Sequence, residues 1–313
     1  MNKSISQEDI ARVKALGCLR DKTTEDCFNV RVITRNGKIT AEQSRTIADA
    51  ASLYGSGEIA MTTRLTVEIQ RVPYENIDKL IDYLRERGLE TGGTGPKVRP
   101  IVSCKGTTCV FGLIDTFGLS VEIHERFYKG YHAVRLPHKF KIAVGGCPNN
   151  CVKPDLNDIG IIGQCISNPD YDKCRGCKIC KVENGCPMRA AAVKDGKIEI
   201  EAELCNNCGR CKGKCPFGVF DNSVQGYKVY IGGRWGKKCA RGIPLSKIFT
   251  NKEDVLAVVE KAILLFRSYG VSGERFADTV ARIGFDTAER LILSDELLTK
   301  KDTIISSPLR EGI

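Results

Sequence analysis

The stretch CNNCGRCKGKCP, residues 205 to 216, constrains this chain more than any other. Cys205, Cys208, Cys211 and Cys215 stand at C-x2-C-x2-C-x3-C-P. At that pitch three thiolates wrap one corner of an iron-sulfur cubane, and the peptide N–H groups of the tight loop point at its sulfurs. A fourth thiolate must come from elsewhere. Upstream, Cys174, Cys177 and Cys180 repeat C-x2-C-x2-C, and Cys186-Pro187 follows after a longer gap than the second run has.

Two such runs are the pattern of two-cluster bacterial ferredoxins, where the fourth cysteine of each run serves the other cluster. That assigns Cys215 to Cys174, Cys177 and Cys180, and Cys186 to Cys205, Cys208 and Cys211. A zinc ribbon uses two CxxC pairs and would leave the third and fourth cysteines of each run idle. Nine of the sixteen cysteines fall between 165 and 223, a segment with almost no aromatic core. It reads as a ferredoxin domain, 165–223, inserted into an α+β host.

The first residues are charged and helical in pattern, without an apolar leader core, and nothing reaches membrane-spanning length. The expectation is a cytoplasmic protein without a membrane partner. In that reducing compartment closely spaced thiols ligate metals and are not held as disulfides. The net charge is +10, yet no Lys/Arg run of five occurs and no basic-aromatic interleaving. This argues against nucleic acid and for a small anionic ligand.

In the host, FNVRVIT (28–34) alternates as a half-buried strand. Thr40 and Gln43 form a capping box for a helix over 41–54. Residues 58–70 read as strands, and Pro73 opens a periodic helix that Gly88 ends. TGGTGP (91–96) is a linker, giving an N-terminal domain over 1–95. The rest of the host, 96–164 and 224–313, carries a helix over 110–129, strands at 139–144, 157–163 and 225–233, and helices over 251–269, 272–283 and 286–299.

Eight cysteines lie outside the runs: 18, 27, 104, 109, 147, 151, 165 and 239. SCKGTTC and GGCPNNC supply Cys104 with Cys109 and Cys147 with Cys151, each pair after an expected strand. Spacing leaves zinc and a third cluster equally open there. Cys18, Cys27, Cys165 and Cys239 have no partner at ligand spacing and read mostly as buried free thiols. His138, beside Lys139, is a candidate proton relay.

SCKGTTCVFGLIDTFGL, HKFKIAVGGCPNNC, VYIGGRWGKK and GERFADTVARIGF together resemble the sirohaem-dependent sulfite and nitrite reductases, in the family's order. With the ferredoxin insert and a single repeat, the chain is most similar to the catalytic subunits of the anaerobic sulfite reductases. The resemblance implies a ferredoxin-like half domain followed by a sirohaem and 4Fe-4S domain. It makes Cys104, Cys109, Cys147 and Cys151 the ligands of a third 4Fe-4S cluster, with Cys151 bridging to the sirohaem iron. The first pair has four residues between its cysteines where many relatives have five.

The resemblance also implies roles for the cations. Arg31, Arg99, Lys139 and Lys141 match the residues that bind the substrate oxyanion, and Arg64 matches one that holds tetrapyrrole carboxylates. Gly232, Gly233 and Arg234 match a loop that approaches the macrocycle. Lys139 and Lys141 share one strand face, so both can meet one anion. Relatives acting on nitrite often have Asn at the second of these positions, so Lys141 favours sulfite. The implied reaction is the six-electron reduction of sulfite to sulfide, fed by two inserted clusters from electron-donor subunits, one iron-sulfur and one flavin and nicotinamide binding, or from a ferredoxin. Tandem relatives divide the cations and the cysteines of one active site between two repeats. A single repeat therefore implies a homodimer or higher oligomer. Nitrite reduction is the enzyme alternative, and a polyferredoxin electron carrier without sirohaem is the non-catalytic one.

Overall fold

The structure is a computed structural model that describes residues 5–312; residues 1–4 of the N-terminal stretch and residue 313 lie outside the described residues. In chain order the helices are α1 (Gln7–Ala15), α2 (Ala41–Tyr54), α3 (Ile77–Glu86), α4 (Thr116–Ile123), α5 (Lys181–Gly185), α6 (Lys252–Tyr269), α7 (Phe276–Ile283) and α8 (Phe285–Leu293). The strands are β1 (Cys18–Arg20), β2 (Cys27–Ile33), β3 (Ile59–Met61), β4 (Val67–Pro73), β5 (Glu90–Thr91), β6 (Val102–Ser103), β7 (Ile142–Gly145), β8 (Ile159–Ile166), β9 (Ala191–Lys194), β10 (Lys197–Ile200), β11 (Val224–Ile231) and β12 (Ile243–Phe249). Two compact units result: Met1–Val102 with Ser120–Ile142 and Glu260–Ile313, and Ser103–Leu119 with Ala143–Val259.

In the first unit an antiparallel sheet runs β1-β2-β4-β3, with β5 beside β2. Period-two alternation sorts β2 into two faces. Phe28, Val30 and Val32 are buried against Ile47, Ala50 and Ala51 of α2 and Ile77, Leu80 and Leu84 of α3. Each such side chain contributes about 1.5–3 kcal/mol by leaving water. Arg31 falls between them on the opposite, half-buried face. The expected capping box is present: the Thr40 side chain accepts from Gln43 N, and Gln43 Oε1 accepts from Thr40 N.

A second cluster in this unit anchors the lysine segment. Phe140 is fully buried, with ring centroids 5.8 Å from Phe266 and 5.1 Å from Phe276. Its neighbours Lys139 and Lys141 are half-buried. Regular strand begins only at Ile142, while Phe140 pairs with Val98 as an isolated parallel bridge.

The second unit carries the sheet order β12-β11-β8-β7-β6, in which β8 is almost wholly buried. β12 was not expected from the sequence, because only Leu245 and Phe249 of it are buried and its hydrophobic pattern is weak. The helix expected from 110 starts at Thr116 instead. Asp115 Oδ1 accepts from Gly118 N at 2.9 Å, an N-cap that fixes the start, and Leu113 N is drawn to Gly146 O at 2.8 Å. Within 165–223, the β9-β10 hairpin and α5 enclose a separate small core of Val182, Ala191, Ile198, Val219 and Phe220. Cys174, Cys180, Cys186, Cys211 and Cys215 pack against that core. No helix among the described residues is long and apolar enough to cross a membrane.

Candidate metal centres and anion site

In the second unit the two cysteine loops leave adjacent strand ends. Cys104 N donates to Val144 O at 3.1 Å, and Cys104 Sγ accepts from Gly146 N at 3.1 Å. Thr116 Oγ1 holds the Cys104 carbonyl at 2.7 Å. Two glycines permit this approach, since a Cβ on Gly146 would stand 2.7 Å from Gly106 Cα. The four thiols Cys104, Cys109, Cys147 and Cys151 are brought together. Burial pushes the Cys147 thiol up, and Cys104, Cys151 and Cys109 lie close enough to add to that shift. Cys151 is exposed, whereas the other three are half-buried.

The Cys147–Cys151 loop is braced by groups that its sequence does not announce. Asn150, in the left-handed region at φ 57°, donates from Nδ2 to Asp155 Oδ1 at 2.8 Å. Asp155 is buried and pairs with Arg241 at 2.6 Å. Gly233 closes on the same turn: a Cβ there would meet Asp155 O at 2.3 Å. Gly232, at φ 77°, donates its N–H to Asp158 O, and Arg234 pairs with Ala240 across an exposed loop bearing Trp235 and Cys239.

Cys186, Cys205, Cys208 and Cys211 line one small pocket, which brings together the set assigned to the second run. Cys165 lines the same pocket, and it is buried. Its backbone pairs with Cys208, and its N–H reaches Asn207 O at 2.8 Å. Burial pushes the Cys211 thiol up to about 11, with Cys165, Cys205 and Cys208 adding to it. The sequence left Cys165 without a partner because the loop it meets lies some forty residues away along the chain. Cys174 Sγ accepts from Ile198 N at 3.3 Å, and Cys177 is exposed. No group of three or more His, Cys, Asp or Glu side chains among the described residues is arranged for a single metal ion.

In the first unit the expected anion-binding cations converge in part. Arg31 stands opposite Glu68 in the β2-β4 register and pairs with it at 2.5 Å, while its other Nη donates to Gly93 O at 3.2 Å. Arg99 donates to the same Gly93 oxygen, and its Nε is buried without a hydrogen-bond partner. Burial, then the neighbouring Arg31, brings the Arg99 guanidinium down to about 10. Arg275 lies close enough to push the same way. Arg64 donates to Pro100 O at 2.7 Å and Ile142 O at 3.3 Å, the residues next to Arg99 and Lys141. The Lys139 N–H donates to His138 Nδ1 at 2.7 Å. Glu68 and Tyr128, whose OH accepts from Gly93 N at 3.0 Å, were not found from the sequence.

Residues 94–301 match the nitrite and sulphite reductase 4Fe-4S domain, and residues 20–87 match the nitrite/sulfite reductase ferredoxin-like half domain. The chain belongs to the nitrite and sulfite reductase family. Its mixed α+β architecture is the family's half domain followed by its 4Fe-4S domain. The chain is 30% identical over 268 residues to a coenzyme F420-dependent sulfite reductase of Methanocaldococcus jannaschii, covering 84% of this chain and 42% of that protein. It thus spans less than half of that relative. It is also 30% identical over 270 residues to one subunit of the anaerobic sulfite reductase of Salmonella typhimurium, covering 80% of this chain and 77% of that one. Among solved structures, dissimilatory sulfite reductase I superposes with a TM-score of 0.70 at 21% identity, over 90% of this chain and 72% of that chain, a likeness of fold.

The donor sets of this reductase-family chain suit the groups its family implies. Four soft thiolates on two abutting loops are the donor type a 4Fe-4S cluster takes, and Cys151 is the exposed one of the four. Cys186, Cys205, Cys208 and Cys211, around one small pocket, are a donor set of the same type.

Proposed function

We propose that this chain is a catalytic subunit that reduces sulfite to sulfide. It would hold a 4Fe-4S cluster on Cys104, Cys109, Cys147 and Cys151, with Cys151 shared with a sirohaem iron. Two further clusters would sit on Cys174, Cys177, Cys180 and Cys215, and on Cys186, Cys205, Cys208 and Cys211, in a ferredoxin domain over 165–223. The division into 1–95, 96–164 with 224–313, and 165–223 belongs to the same reading. The observation that carries it is the gathering of the four thiols of SCKGTTC and GGCPNNC, of which only Cys151 is exposed.

When bound, the sirohaem and its cluster would pass to the substrate the six electrons that the donor supplies. The chain supplies charge, position and protons. Arg99 presents guanidinium N–H groups to sulfite oxygens, Arg31, whose fork Glu68 and Gly93 hold, adds positive charge beside it, and Lys139 and Lys141 act as point charges able to donate protons. Each of the three oxygens leaves as water on taking up two protons. Arg64, Gly232, Gly233 and Arg234 would contact the macrocycle. Because one repeat carries both the cations and the cysteines, the cations of one chain would serve the sirohaem of a second in a homodimer, with separate electron-donor subunits in the cytoplasm. Cys151→Ser tests the reading. It should abolish magnetic coupling between haem and cluster in electron paramagnetic resonance, while the insert's cluster signals remain. Unaltered coupling would contradict it.

A further inference from the structure

The two cysteine runs have different surroundings within the second unit. The start of the second run, Cys205 to Gly209, is half-buried against the loops that carry the other ligand set, while Arg210, Lys212 and Lys214 are exposed. Cys165 pairs with Cys208, a Cβ on Gly209 would meet Leu113 at 3.3 Å, and the Arg210 guanidinium stands 5.2 Å from the Phe111 ring centre. Asn206 shares a cleft with Pro148 and Asn150. These contacts reach the Cys104–Cys109 loop on one side and the Cys147–Cys151 loop on the other.

The first run faces solvent. Cys177 is exposed and Ile179 is 77% exposed. Lys173, Arg175, Lys178 and Lys181 lie within nine residues with no acid among them, so a base adjoins each of the three cysteines. All four are exposed. Lys173 pairs with Asp170 at 3.1 Å, but among the described residues Arg175, Lys178 and Lys181 have no carboxylate partner.

We infer that this face of the first run is the docking surface for an acidic electron-donor protein. Electrons enter at Cys174, Cys177, Cys180 and Cys215, the set with the exposed Cys177, and leave through the set of Cys186, Cys205, Cys208 and Cys211. This rests on the proposed ligation of both clusters. Unpaired cations steer an acidic partner and set its orientation, and the apolar tip of Ile179 between them gives a dry contact beside an exposed ligand. Such encounters are small and salt-sensitive. Phosphate recognition would ask for a longer basic track than these positions make, and it would not ask for a bare isoleucine at their centre.

The test uses the full chain, anaerobically loaded, with iron counted per chain. A small acidic two-cluster bacterial ferredoxin serves as the probe in calorimetric binding at low and high salt. Arg175→Glu with Lys178→Glu should weaken binding at least tenfold and flatten its salt dependence, at unchanged iron content. Lys194→Glu, on the hairpin, should bind as the parent does. Binding indifferent to the double reversal, an equal loss from Lys194→Glu, or equally tight binding of a single-stranded DNA oligonucleotide would overturn the surface. A fully loaded chain failing in these ways leaves the ligation standing. A parent chain holding the iron of one cluster alone would overturn the ligation and the surface with it.

Discussion

Arg31 and Arg99 donate to one acceptor, the carbonyl oxygen of Gly93. Two guanidinium groups on a single neutral oxygen repel each other, and among the described residues only Arg31 of the two has a carboxylate to offset its charge. The pair is therefore under-neutralised, which is what a site for a small dianion requires.

Arg99 should be a stability cost in the absence of anion. Its folded pKa, about 10, lies below the ordinary arginine value, so the unfolded chain holds the proton more tightly. Through this group stability rises as pH climbs above about 10 towards the ordinary arginine range, and the full cost is present below that window. Arg99→Met should therefore melt higher than the parent at neutral pH without sulfite. With sulfite in hundredfold excess over Kd, the parent should gain about 2.7 kcal/mol and the variant much less. Thermal scans with and without sulfite read both effects; an equal gain in the two proteins would count against Arg99 as an anion contact.

Glu68 restrains Arg31 from the neighbouring strand. Glu68→Gln keeps the shape and removes the negative charge. Losing this half-buried pair should cost about 1–3 kcal/mol of stability, measured by urea unfolding. The same change should lower KM for sulfite, because Arg31 is then no longer neutralised. A raised KM would mean that Glu68 positions Arg31 and does not merely offset it.

Gly146→Ala should separate the two cysteine loops. The new methyl would stand 2.7 Å from Gly106 Cα and 3.4 Å from Cys104 Sγ, and the backbone contact has no flexible atom to yield. The purified variant should lack about four iron atoms per chain relative to the parent. Gly185→Ala, where nothing lies within 4 Å, should retain full iron. Iron assays on the two proteins decide the point.

Periodic and local features were legible in the sequence. The Thr40–Gln43 capping box, the alternation of β2 and the strands on either side of the insert follow from neighbours within a few residues. What escaped depends on distant partners or on weak patterns. Glu68 meets Arg31 across a sheet, thirty-seven residues away, and Cys165 meets the Cys205–Cys211 loop only after the insert folds back. β12 hid because Pro244, Ser246 and Lys247 interrupt its apolar pattern, and the start of α4 moved because Asp115 caps it more strongly than the upstream apolar residues extend it.

The most direct measurement is the absorption spectrum and iron content of the chain purified without oxygen after cofactor-replete expression. The proposal gives a Soret band with red-region tetrapyrrole bands and about thirteen iron atoms per chain, from three cubanes and one haem. Full cluster iron with no Soret band would contradict it.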